Sequence, residues 1–136
     1  MAQSESVAQQ QIRLTLARIG AQAWRNNTGA CTDESGRLIR YGLANESAQL
    51  NAVVKSSDLI GVVPVTITPE MVGRTVGVFT AIECKRPGWH LTPGDKRGQA
   101  QQKFIDIVVS AGGMGGFATG PDDVSAIISG WINATR

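Results

Sequence analysis

Cysteine is nearly absent. Cys31 and Cys84 are the only two in 136 residues; they are too few for a disulfide framework and form no CxxC pair, which removes disulfide scaffolds, structural zinc and thioredoxin-like chemistry and leaves both as expected reduced thiols of a cytosol. Long apolar runs are missing too. No stretch approaches the roughly 18 apolar residues that span a bilayer, and Met1-Ala2-Gln3-Ser4-Glu5 carries neither the basic cluster nor the apolar core of a signal peptide. Membrane and secreted classes are not expected. Neither sign of charge dominates: 13 Lys and Arg against 11 Asp and Glu give +2, so the chain is no polybasic arm or acidic tail, and charge alone names no partner. Aromatics make up 5% of the chain, which assigns Trp24 and Phe104 to a core before any base-stacking role. The single histidine, His90, has no second His or Cys at ligand spacing. There is no internal repeat, low-complexity tract or linker.

What remains is 136 residues with 42% hydrophobic content, enough for one globular domain spanning 1–136. Val7, Ile12, Leu16 and Ile19 fall near one face of a helix over 5–19, with Ser4 as N-cap and Gly20 as the stop. Short strands are predicted at 23–25 and 37–41, with turns at Asn26-Asn27 and around Gly36. The stretch 45–54 reads equally as helix or irregular chain. Residues 58–67 are apolar and β-branched, interrupted by Pro64, and 69–73 reads as a one-turn excursion. Residues 75–85 are nearly continuously apolar, as in a strand buried on both faces at the centre of a sheet. A loop over 86–97 leads to a helix over 98–111 with Phe104, Ile107 and Val108 inward. A last strand in MGGFATG and a helix from Pro121 to about Ala134 complete the order α, β, β, β, β, α, β, α. The expected class is α/β, a central mixed β-sheet flanked by α-helices.

The most informative feature is Glu83-Cys84-Lys85. Period two puts Glu83 and Lys85 on one strand face, about 6 to 7 Å apart along the backbone. Burying a carboxylate and an ammonium costs several kcal/mol unless both are compensated. A divalent cation held by Glu83 would supply compensation, and Lys85 could orient or deprotonate an attacking water. Asp58 opens the preceding strand-like run, so neighbouring strands could bring Asp58 and Glu83 to one hard cation such as Mg²⁺ or Mn²⁺.

Several segments together give the chain a family likeness: Ser4-Glu5, Trp24-Arg25-Asn26-Asn27-Thr28-Gly29, Ser57-Asp58-Leu59-Ile60-Gly61, Phe79-Thr80-Ala81-Ile82-Glu83-Cys84-Lys85, Gln101-Gln102-Lys103-Phe104 and Ala111-Gly112-Gly113. In these the chain resembles the VRR-NUC (virus-type replication-repair nuclease) branch of the PD-(D/E)xK nucleases, in its small stand-alone phage and bacterial form, with Ser57 where the family usually has Pro. The resemblance implies the restriction-endonuclease-like fold. It also implies that Asp58 and Glu83 are metal ligands, that the Cys84 backbone carbonyl completes the set, and that Lys85 is the catalytic lysine. Glu5 would approach the metal directly or through water, and Gln101 would hold water or the lysine.

Arg25, Asn26 and Asn27 could bond phosphates or simply turn the chain. Arg86, Lys96, Arg97 and Lys103, beside the proposed cleft, suit a phosphate track or a solvated surface. The expected activity is Mg²⁺- or Mn²⁺-dependent endonucleolytic hydrolysis of DNA, and the resemblance implies products with 5′-phosphate and 3′-hydroxyl ends. The expected substrate is branched DNA, such as four-way (Holliday) junctions in DNA repair, cut by a homodimer in the cytoplasm of a bacterium or phage-infected host. The rival readings are a nuclease of flap or restriction type and a catalytically silent nucleic-acid-binding module.

Overall fold

Ser4 caps the first helix as its position predicts: its hydroxyl accepts the Val7 N–H at 3.2 Å, and α1 runs Glu5–Arg18 before Gly20 turns the chain at φ +83°. The computed structural model describes residues 4–134, which form two compact units, one up to Gly61 and one from Val62. The chain is mixed α/β, with four α-helices and six short strands among the described residues.

In the first unit α1 leads to β1 (Gln22–Arg25), which pairs with β4 (Leu59–Val62). These strands run antiparallel, since the Asn26 N–H donates to the Asp58 carbonyl at one end while Gly61 lies against Gln22 and Ala23 at the other. Between them β2 (Gly29–Thr32) and β3 (Leu38–Tyr41) form an antiparallel hairpin, Gly29 opposite Tyr41. Asp33 ties its turn by accepting the Ser35 N–H and hydroxyl and the Arg37 N–H. Asn45, 3% exposed, closes the hairpin's open end by donating to the carbonyls of Gly29 at 2.7 Å and Tyr41 at 2.9 Å. Burying an amide is tolerable because its bonds are made. The undecided stretch over 45–54 holds a short helix, α2 (Ala48–Val53), capped by the Ser47 hydroxyl.

In the second unit the apolar segment after Val62 is irregular apart from one 3-10 turn at Pro69–Met71. Then follow β5 (Thr80–Cys84), α3 (Lys96–Ser110), β6 (Met114–Ala118) and α4 (Pro121–Ile132). β5 and β6 are parallel, with Glu83 level with Phe117. A Cβ on Gly115 would meet Ile105 of α3, and one on Gly116 would meet Ile127 of α4. The two helices thus lie on opposite sides of the strand pair, and Ile105, Val108 and Ala118 form the buried centre.

Four expectations need correction. Among the described residues the six strands pair as three two-stranded sheets, β1–β4, β2–β3 and β5–β6, where one central mixed sheet is expected. The strand predicted over 58–67 stops at Val62, two residues before Pro64, which lacks the N–H a ladder needs. The strand predicted over 75–85 starts only at Thr80 and is half-buried, with Thr80 and Cys84 exposed. Glu83 and Lys85 therefore escape the full desolvation cost that burial on both faces would impose. Helix phase differs too: Ile105 and Val108 of α3 are buried, while Phe104 and Ile107 are 39% and 43% exposed. No residue of α1 is fully buried.

Candidate functional site in the cleft between β5 and α3

The side chain of Asp95 starts α3 by accepting the Gly98 N–H at 2.8 Å, and Gly98 leaves room for the Leu91 and Asp95 side chains that pack there. Starting the helix at Lys96, two residues earlier than predicted, sets Arg97, Ala100, Gln101 and Phe104 on one face. This face meets Phe79 to Glu83 across an open cleft of about 600 Å³. Glu83, Gln101 and Arg97, three of the residues singled out in the sequence, line this one cleft.

The Oε1 atom of Gln101 is buried and has no hydrogen-bond partner among the described residues. An orphaned amide oxygen costs stability until a donor or cation reaches it. Its neighbour Gln102 is already spent on Asp106, at 2.8 Å. Lys96 and Arg97 are exposed in the first turn of α3, where the helix dipole disfavours cations; a bound anion offsets that cost. Lys103 lies one heptad beyond Lys96 on the strip beside the cleft face, and Arg86 is exposed just after β5.

Lys85 extends the strand pairing by one residue, its N–H donating to the Ala118 carbonyl at 2.9 Å. Its ammonium makes no ion pair with Glu83 and instead lies over the rings of Trp89, at 5.0 Å, and Phe117, at 5.8 Å. Glu83 and Lys85, although two residues apart on one strand, therefore do not pair with each other. Neither aromatic was singled out in the sequence. The signal that could have found Trp89 is Arg86-Pro87-Gly88-Trp89, a tight turn directly behind the lysine. Cys84 is exposed and a free thiol, as is Cys31.

Glu5, Arg25, Asn26, Asn27 and Asp58 belong to the first unit. Glu5 is the exposed first residue of α1, and Arg25 and Asn27 are exposed around the end of β1. Asn26 is committed internally. Its Nδ2 donates to the Ser56 hydroxyl and the Ser57 carbonyl, both at 2.8 Å, and its Oδ1 accepts the Leu43 N–H at 3.2 Å. It fastens the loop that presents the exposed Asp58.

Among the described residues, no three His, Cys, Asp or Glu side chains gather as a metal-ligand group. Of the residues that line the cleft, Glu83 brings a carboxylate and Gln101 a side-chain amide, oxygen donors of the kind that a hard divalent cation or its waters take. No helix among the described residues is long and apolar enough to cross a membrane. Comparisons with family models, curated proteins and solved structures returned no match to this chain.

Proposed function

We propose that the chain is a metal-dependent nuclease of the PD-(D/E)xK type that hydrolyses DNA phosphodiester bonds. The observation that carries the reading is the cleft that Glu83, Gln101 and Arg97 line together, with the Gln101 Oε1 left without a partner among the described residues. The order β5, α3, β6 supports it, because it sets the acid on a strand and the glutamine and cations on the next helix. Glu83 and the Cys84 carbonyl are the candidate oxygen donors of the second unit, and Asp58 and Glu5 are the acids added by family likeness. Mg²⁺ or Mn²⁺, when bound, supplies polarisation of a phosphoryl oxygen and acidification of a water.

The chain's own groups do the rest. Arg97 and Lys96 attract the phosphate, with Lys103 and Arg86 extending the basic track. Gln101 accepts a hydrogen bond from water at the cleft floor. Lys85, free of any carboxylate partner among the described residues, offers its ammonium to the charge that builds on the phosphoryl oxygens. Branched DNA as substrate, a homodimer as the working form and a cytoplasmic setting belong to the same proposal.

The test is cleavage of labelled four-way junction, flap, single-stranded and duplex DNA with Mg²⁺ or Mn²⁺, comparing wild type with Glu83→Ala and Lys85→Ala. Metal-dependent cutting that both substitutions abolish supports the reading. Junction binding without cutting points to a silent binding module. Light scattering that finds only monomer at micromolar concentration removes the paired-cut version.

A further inference from the structure

We propose that Trp89, backed by Phe117, is a positioning residue for Lys85, holding its ammonium against aromatic faces in place of a carboxylate. The proposal deepens the nuclease reading and rests on it for the chemistry that Lys85 performs. The local sequence builds the arrangement. Pro87 and Gly88 occupy the centre of a tight turn closed by the Trp89 N–H donating to the Arg86 carbonyl at 3.1 Å, and Gly88 takes the positive φ of +83° that such a turn demands. The chain therefore reverses immediately behind β5 and returns the indole over the lysine it has just passed. Phe117 arrives from β6, level with Glu83, and its ring centroid lies 4.6 Å from that of Trp89 at an interplanar angle of 44°. The ammonium sits over both rings, at 5.0 and 5.8 Å from their centroids.

Two consequences follow from this geometry. A long lysine side chain ordinarily loses much rotamer freedom when it is placed, and the rings bear that ordering before substrate arrives. A carboxylate partner would cancel the positive charge, whereas a ring face attracts it without neutralising it. The positive charge thus stays open to an anionic oxygen.

The test uses the full chain labelled with [¹³Cε]lysine. The sequence has four lysines, Lys55, Lys85, Lys96 and Lys103, and Lys85→Arg assigns the signal of interest. Ring currents should move the Lys85 ε-methylene protons upfield of the other three. Trp89→Leu should return them to the common position and lower kcat about tenfold with KM changed less than about twofold, and Trp89→Phe should restore most of both. Phe117→Leu should give a smaller loss of the same kind, which serves if Trp89→Leu does not fold. A wild-type Lys85 signal coincident with the other lysines overturns the proposal whatever the cutting. So does a Trp89→Leu protein that cuts like wild type or loses only KM. An upfield signal in a protein that cuts no DNA retains the clamp and overturns the nuclease reading instead.

Discussion

The Asn26 backbone N–H donates to the Asp58 carbonyl at 2.8 Å, and the Asn26 amide holds the two residues before Asp58 as well. A segment rich in serine is thereby fixed by one asparagine across the end of β1 and β4. Asn26→Ala leaves the Leu43 N–H and the Ser57 carbonyl without that partner and is expected to cost about 2 kcal/mol in urea unfolding. Asn27→Ala, at an exposed neighbour, should stay within about 0.5 kcal/mol. Equal effects of the two would mean that the loop carrying Asp58 is held by something else.

Glycines of the second unit divide by what surrounds them. A Cβ at Gly115 would come within 2.7 Å of the Ala81 carbonyl and 3.3 Å of Ile105, so Gly115→Ala must push β5 or α3 aside and should cost about 1 to 3 kcal/mol. Gly130 lies inside α4 with nothing near its missing side chain. Gly130→Ala should raise stability by about 0.5 to 1 kcal/mol, through helix propensity and a less flexible unfolded chain. Thermal melts of the two variants should therefore move in opposite directions.

Where capping and chain-breaking residues set the structure, the sequence was legible: Ser4, Gly20 and Pro121 mark helix ends where the helices in fact begin or stop. Asp95 as the cap of α3 is hidden in the sequence because it falls at the end of a stretch whose two prolines and two glycines read as loop. The phase of α3 misled because Phe104 to Val109 is apolar at nearly every position, so periodicity alone did not choose Ile105 over Phe104. β2 was missed because it starts at Gly29, after a run that favours turns. Strand partners were the least legible of all. Composition says that 75–85 can be a strand; it does not say which other segment carries the hydrogen bonds. Glu83, Gln101 and Arg97, which the sequence singles out, line one cleft, whereas Trp89 and Phe117 come to Lys85 through a turn and a register that no spacing announces.

Asp123 gives a pH dependence of known sign. The Thr119 backbone N–H and hydroxyl each donate to its carboxylate at 2.8 Å, and these bonds, the backbone one foremost, hold its pKa below the usual carboxylate value. An unfolded Asp titrates near about 3.9, so the unfolded chain binds this proton first as pH falls. The contribution is fully present above that value and is lost as pH drops through the lower folded pKa. Wild type should lose stability below about pH 4 more steeply than Asp123→Asn. Parallel curves would show that Thr119 does not bond the carboxylate in solution. Asp33, held low chiefly by the Ser35 hydroxyl and then by the Arg37 N–H, contributes with the same sign, so the comparison is cleanest with Asp33→Asn present in both proteins.

Gln101 offers a sharper separation of stability from function. Its Oε1 is buried and takes no hydrogen bond from the described residues, so no protein donor is lost when that atom is removed. Gln101→Leu removes that atom at nearly constant volume. It should leave the unfolding free energy unchanged or raise it by about 1 kcal/mol, while the DNA cutting proposed for this cleft falls at least about tenfold. Gln101→Glu keeps an oxygen and adds charge, so it should cut DNA better than the leucine variant while being the less stable of the two. A structural glutamine behaves in the opposite way, with Gln101→Leu losing stability and activity together. Urea unfolding and single-turnover cleavage on the same preparations distinguish the two.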